Sequence, residues 1–180
     1  MKSVLVHSCC AHCAAYTIDY WRQQGFEVSA LWYNPNIHPY LEHQHRLDAM
    51  KILAQEAGLP LIITEGYDIE SYFRQVAGYE SQRCRYCFQL RLSKAAEVAY
   101  RGGFNAFTTT LLISPHQKHE LLEEVGNQLA VEKGIDFLYA DLRKSYSVSR
   151  HMTKWLNIYR QQYCGCIYSE WERYAGVKKE

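Results

Sequence analysis

The chain has 180 residues, a net charge of +1, 48% hydrophobic and 22% charged residues, a size and balance that suit one globular domain over 1–180 with a core of its own. No apolar run approaches the ~20 residues a membrane helix needs, and Met1-Lys2-Ser3 runs straight into strand-like Val4-Leu5-Val6, with no room for a signal peptide. A cytoplasmic, reducing setting is therefore expected, and there a disulfide scaffold is the weaker explanation of seven cysteines, an odd number.

The apolar pattern predicts a first strand over 3–7 and a helix over 13–24. Gly25 then ends the helix and a strand is expected over 26–33, followed by a helix over 41–57. Gly58 precedes a third strand over 59–64, and helices over 69–77 and 87–101 follow. Gly102-Gly103 precede a fourth strand over 104–109, and Gly134 precedes a fifth over 135–139. Glycine relieves the left-handed cap after a helix, and the short runs behind it are β-branched or aromatic-rich. Between the last two strands a helix over 116–133 is expected, with Ser114 as N-cap, Pro115 at the first position and Gln117 closing a capping box. A helix over 149–162 comes last. Strands alternating with helices imply an α/β fold with a mostly parallel five-stranded sheet covered on both faces. The C-terminal stretch beyond it is a cysteine-bearing appendage.

The cysteines fall in three groups: Cys9, Cys10 and Cys13; Cys84 and Cys87; Cys164 and Cys166. The first follows strand one, where open α/β sheets bind ligands. The second opens a helix, whose N-terminal dipole favours thiolates. In the third, Gly165 lets the backbone turn both sulfurs toward one point. Single cysteines are often just buried, but chelating pairs in three places are not what random burial produces. Four thiolates suit a structural zinc or a [4Fe–4S] cluster, and seven leave a second metal or a redox-active dithiol to be accommodated. Neighbouring side chains diverge, so Cys9 and Cys10 are expected to serve two different centres.

Four segments carry a resemblance. Ser8-Cys9-Cys10-Ala11-His12-Cys13, Arg83-Cys84-Arg85-Tyr86-Cys87-Phe88-Gln89-Leu90-Arg91-Leu92, Phe107-Thr108-Thr109-Thr110-Leu111-Leu112-Ile113-Ser114-Pro115 and Tyr159-Arg160-Gln161-Gln162-Tyr163-Cys164-Gly165-Cys166-Ile167-Tyr168-Ser169 resemble, in that order, the QueH family of cobalamin-independent epoxyqueuosine reductases, from about residue 4 to 172. The resemblance implies a Rossmann-like fold distantly similar to the ATP-pyrophosphatase (HUP-type) nucleotide binders. It also implies a [4Fe–4S] cluster with an adjacent mononuclear iron or other divalent metal. The implied reaction is reductive deoxygenation of epoxyqueuosine to queuosine at the wobble position of tRNA, with tRNA and an unidentified electron donor as partners. Two departures stand out: proline is common in the family at His12, and aspartate occurs in some members at Cys13. The first loop lacks the glycines of a pyrophosphatase phosphate loop, so ATP use is not expected.

All seven cysteines are thus expected metal ligands, Cys10, Cys84, Cys87, Cys164 and Cys166 toward the cluster, Cys9 and Cys13 toward the second, catalytic metal. His12 and Tyr86 are the nearest candidate proton donors, with Tyr163 and Tyr168 behind them. Residues 142–169 hold no acid but carry Arg143, Lys144, Arg150, Lys154 and Arg160 among Tyr146, Trp155, Tyr159 and Tyr163, a pattern that offers phosphate contacts and stacking faces to RNA. Arg83, Arg85 and Arg91 are expected to extend that surface. His38, His43, His45, His116 and His119 are expected as surface residues. Two competing readings remain: a zinc-stabilised RNA-binding module without redox activity, and a thiol–disulfide oxidoreductase built on Cys84 and Cys87.

Overall fold

The apolar runs pair side by side in a computed structural model that describes residues 2–177. Strands β1 (Lys2–His7), β2 (Phe26–Trp32), β3 (Leu61–Ile63), β4 (Ala106–Thr109) and β5 (Asp136–Phe137) form one sheet in the order β3-β2-β1-β4-β5, every pair parallel. Parallel neighbours need crossovers, supplied by α1 (Ala11–Gln23), α2 (Tyr40–Glu56), α3 (Ile69–Val76), α4 (Arg83–Arg101) and α5 (His119–Lys133). After β5 come α6 (Tyr146–Met152) and α7 (Ile167–Tyr174). No helix is long and apolar enough to cross a membrane among the described residues.

β1 shows how the sequence makes two cores. Its side chains alternate across the sheet: Val4 and Val6 pack with Ile18, Trp21, Leu47 and Met50 from α1 and α2. Leu5 packs with Phe88, Leu92, Leu122 and Val125 from α4 and α5. The strand order turns back on itself between β1 and β4, and the carboxyl ends of those strands border the crevice that such a reversal opens. Cys9 and Thr110 lie there.

Three expected elements differ. Ser114 caps no helix: its Oγ accepts the His116 N–H at 3.3 Å and α5 starts only at His119, with Lys118 at the N-cap position and no side-chain capping bond. The Gln117 side chain is drawn instead to Cys164, so the capping box never forms. The expected helix over 149–162 stops at Met152; a short 3₁₀ turn follows over Lys154–Leu156, and Asn157 is left-handed with φ 49°. The break has a cause in His12, which bonds both Thr153 and the Tyr159 carbonyl and pins the chain to α1. Helix α7 was not expected.

Candidate functional site

Cys10 is the N-cap of α1, in extended backbone (φ −168°, ψ 155°), with its sulfur accepting the Cys13 N–H at 3.3 Å. That capping turn folds Cys10 back over the first helical turn. As a result the sulfurs of Cys9, Cys10 and Cys13 all lie within 4.8 Å of one another, the only such grouping of cysteine, histidine and acid ligand atoms among the described residues. The expected divergence of Cys9 and Cys10 is therefore corrected: the cap overrides the alternation of neighbouring side chains. Thr110 fixes the third corner, its hydroxyl accepting the Cys9 N–H at 3.3 Å and lying 3.4 Å from Cys9 Sγ.

The three thiols are buried and share protons. Hydrogen bonds from Cys10 and then Cys13 hold the Cys9 thiol well below its usual range, against burial and with help from Arg91. For Cys10 the bond to Cys13 acts downward, but the bond to Cys9 and burial outweigh it and push the thiol up to about 12. Cys13 is raised by its bonds to Cys10 and Cys9. The trio thus favours one thiolate at Cys9, with the other protons to be displaced by a cation. The donor set fits a thiophilic metal.

The second group is assembled from two remote segments. Cys84 and Cys87 sit in the first turns of α4, while Cys164 and Cys166 flank Gly165. Cys87 and Cys166 share a small apolar cluster with Tyr72 and Val76. Burial pushes the Cys87 thiol up to about 12, with Cys164, Cys166 and Cys84 adding to the rise and Arg91 opposing it. Arg46 holds the C-terminal segment in place. Its Nε donates to Glu42 Oε1 at 2.7 Å, and its Nη1 and Nη2 donate to the carbonyls of Cys164 and Tyr163 at 2.9 and 3.0 Å. Tyr159 bonds the other Glu42 oxygen. His38 adds three bonds: its N–H to the Gly165 carbonyl at 2.7 Å, its carbonyl from the Tyr163 hydroxyl, and its Nδ1 from the Ile167 N–H at 3.2 Å. Gly165 (φ 152°) holds a backbone conformation that other residues rarely adopt, and a Cβ there would also crowd Ile37 at 3.2 Å.

Between the groups opens a cavity of about 460 Å³, lined by Cys9, Cys13, Thr110, Cys164, Tyr146 and Arg150 among others. Gln161 and Gln117 reach sulfurs across it: Gln161 Nε2 donates to Cys10 Sγ at 2.8 Å and Gln117 Nε2 to Cys164 Sγ at 3.2 Å.

Several expected residues stand elsewhere. His12 is buried, with one ring nitrogen on Thr153 and the other on the Tyr159 carbonyl at 2.9 Å, and burial lowers its pKa; it is a staple between α1 and the C-terminal segment. Tyr86 packs on Tyr79 and does not line the cavity. Arg91 is buried rather than superficial; Arg83 pairs with Glu172 and Arg85 with Glu124, so these three offer no free basic surface. His38, His43 and His119 are buried and hydrogen-bonded, leaving His45 and His116 exposed. Of the basic stretch, Arg143 is tied to Asp141 at 2.6 Å and Arg160 to the Arg150 carbonyl. Arg150 lines the cavity, and Lys144 and Lys154 are exposed. Trp155, 71% exposed, keeps a free stacking face. Sequence reasoning missed Arg46, Glu42, Gln117 and Gln161; the one-turn spacing of Glu42 and Arg46 was the available signal.

A doubly wound α/β protein with a thiol-lined cavity at its strand reversal has the donor set of a redox or metal enzyme. Its sequence matches the family described as "Epoxyqueuosine reductase QueH" over residues 4–172. Two proteins named Epoxyqueuosine reductase QueH are close in sequence: one from Dehalococcoides mccartyi is 53% identical over 96% of this chain and 94% of its own length. The other, from Haemophilus influenzae, is 35% identical over 99% of this chain and 78% of its own. The chain belongs to the QueH family, and is an oxidoreductase of that kind. A crystal structure from Methanocaldococcus jannaschii, of a protein described as a predicted tRNA methyltransferase subunit, superposes with a TM-score of 0.57 at 12% identity, covering 84% of this chain and 74% of that one. That likeness shows the fold.

Proposed function

We propose that the chain reduces epoxyqueuosine to queuosine at the wobble position of a tRNA, in the cytoplasm, and that all seven cysteines serve its metal centres. The observation that carries this reading is the convergence of three buried thiols at the strand reversal, on a cavity that Cys164 of the second group also lines. Cys84, Cys87, Cys164 and Cys166 would hold a [4Fe–4S] cluster, which takes four thiolates. Cys9, Cys10 and Cys13 would hold an adjacent iron or other divalent metal, three protein ligands being the number that leaves a position open. Bound there, these groups supply single electrons and Lewis acidity toward the epoxide oxygen.

The rest falls to the chain's own side chains. Converting the epoxide to an alkene consumes two electrons and two protons and releases water. Among the cavity-lining side chains able to carry a proton, the Tyr163 hydroxyl is committed to the His38 carbonyl and Glu172 to Arg83, whereas Tyr146 and His116 meet edge to face and Arg150 donates to the Tyr146 oxygen at 3.3 Å. The base must leave its stack to reach buried sulfur. Lys144, Arg150 and Lys154, with Arg143 and Arg160 beside them, supply phosphate contacts, and Trp155 a stacking face. Protein purified anaerobically should be brown, with about four irons and four sulfides per chain and up to one further metal. Colourless protein holding only zinc after reconstitution would overturn the redox reading and favour the structural-zinc alternative.

A further inference from the structure

Arg91 is 1% exposed, and a buried guanidinium keeps its charge at every accessible pH. Buried charges are ordinarily paired. Arg46, equally buried, obeys that rule through Glu42. Arg91 pairs with no carboxylate among the described residues. What it touches is sulfur: Nη2 donates to Cys87 Sγ at 3.1 Å and Nε to the Cys87 carbonyl at 3.3 Å. The helix puts it there, because residues four apart share a face and side chains lean toward the N-terminus. The Phe88 ring lies 6.0 Å from the guanidinium carbon, and Cys87, Cys9 and Cys164 act on Arg91 electrostatically, as Arg91 does on the buried His7. The Cys87 sulfur is thus in direct contact with a fixed cation whose field also reaches Cys9 and Cys164.

We propose that Arg91 is the built-in countercharge of the sulfur centre and raises its reduction potential, a role that rests on the reductase reading. A cation beside a redox group in a low-dielectric interior favours the more negative, reduced state. N–H donation to a ligating sulfur acts in the same direction. Arg91 is a positioning residue in this sense: it touches the ligand, and the reacting atoms feel it through that ligand.

The test uses the full-length protein, reconstituted anaerobically, as wild type, Arg91→Lys and Arg91→Met. Each is titrated with dithionite against mediator dyes, with iron and sulfide assayed. Methionine keeps much of the length and removes the charge. At a fixed potential the reduced-to-oxidised ratio of Arg91→Met should fall at least tenfold, a downward shift of at least 59 mV for a one-electron couple. That of Arg91→Lys should stay within about threefold of wild type, since the charge remains. A folded Arg91→Met that loses the cluster while Arg91→Lys keeps it supports the same role. A loaded Arg91→Met with wild-type potential, or a Lys variant that fails as completely as the Met one, would overturn it and leave Arg91 a packing residue. Wild-type protein that takes up no redox-active metal would instead overturn the reductase reading itself.

Discussion

The two cysteine groups reach the same cavity by opposite routes. Cys9, Cys10 and Cys13 come from one five-residue stretch, and a single capping bond at the start of α1 gathers their sulfurs. Cys87 packs with Cys166 where Arg46 and His38 hold a segment from the far end of the chain. Local geometry alone brings the three sulfurs of the first group together. The second depends on tertiary contacts, so its ligand capacity is coupled to folding stability, and the two should respond differently to the same damage.

The largest expected effect separates the groups directly. Cys9→Ser or Cys13→Ser should abolish turnover while most cluster absorbance survives, whereas Cys84→Ser, Cys87→Ser, Cys164→Ser or Cys166→Ser should bleach most of it. A bleached Cys13→Ser beside a coloured Cys164→Ser would reverse the division proposed between them. Next is Glu42→Gln, which leaves the buried Arg46 without its carboxylate. Removing one partner of a buried pair costs about 3–5 kcal/mol, so calorimetry should show a clearly lower Tm, and the metal held by the second group should be lost before that of Cys9, Cys10 and Cys13. Loss of both together would mean the groups are not independent. Tyr146→Phe probes the space between them: turnover should drop by roughly 10²-fold, within the range of a general acid, with metal content unchanged. Smallest is the Lys144→Ala, Lys154→Ala pair, remote from both groups. tRNA affinity should weaken several-fold and the slope of log K against log salt flatten by about 1.4–1.8 units, again with metal content intact. Unchanged affinity and slope would move the RNA surface elsewhere.

How far the sequence could be read follows the same division. Five strands, four of them behind glycines, and their alternation with helices were legible because parallel strands buried on both faces leave continuous apolar runs. So was the placement of Cys9 after the first strand and of Cys84 at a helix start. What escaped was whatever depends on remote contacts. Nothing local in 149–162 announces that His12 will bond Thr153 and Tyr159 and stop a helix. Ser114-Pro115 reads as a helix start, yet Gln117 serves a sulfur 47 residues away. His38, His43 and His119 read as polar surface and are buried: His38 accepts from Ile167, 129 residues on, and His43 from Trp32 in β2, while His119 bonds the nearby Ser114 carbonyl. Arg91 read as one more base in a basic run; its burial against Cys87 is a property of how α4 packs.

The clasp formed by Arg46 and His38 also sets a timetable. Ribosomes add about 5–20 residues per second, so the trio at Cys9 is synthesised roughly 8–30 s before Cys164 exists. For most of that interval the growing chain carries the three thiols and the Glu42–Arg46 pair, with the Cys164 and Tyr163 carbonyls that Arg46 binds not yet made. The donor set is complete only when the final segment of the polypeptide arrives. On the metal-centre reading proposed above, loading of the whole centre is therefore a late event in the life of each molecule.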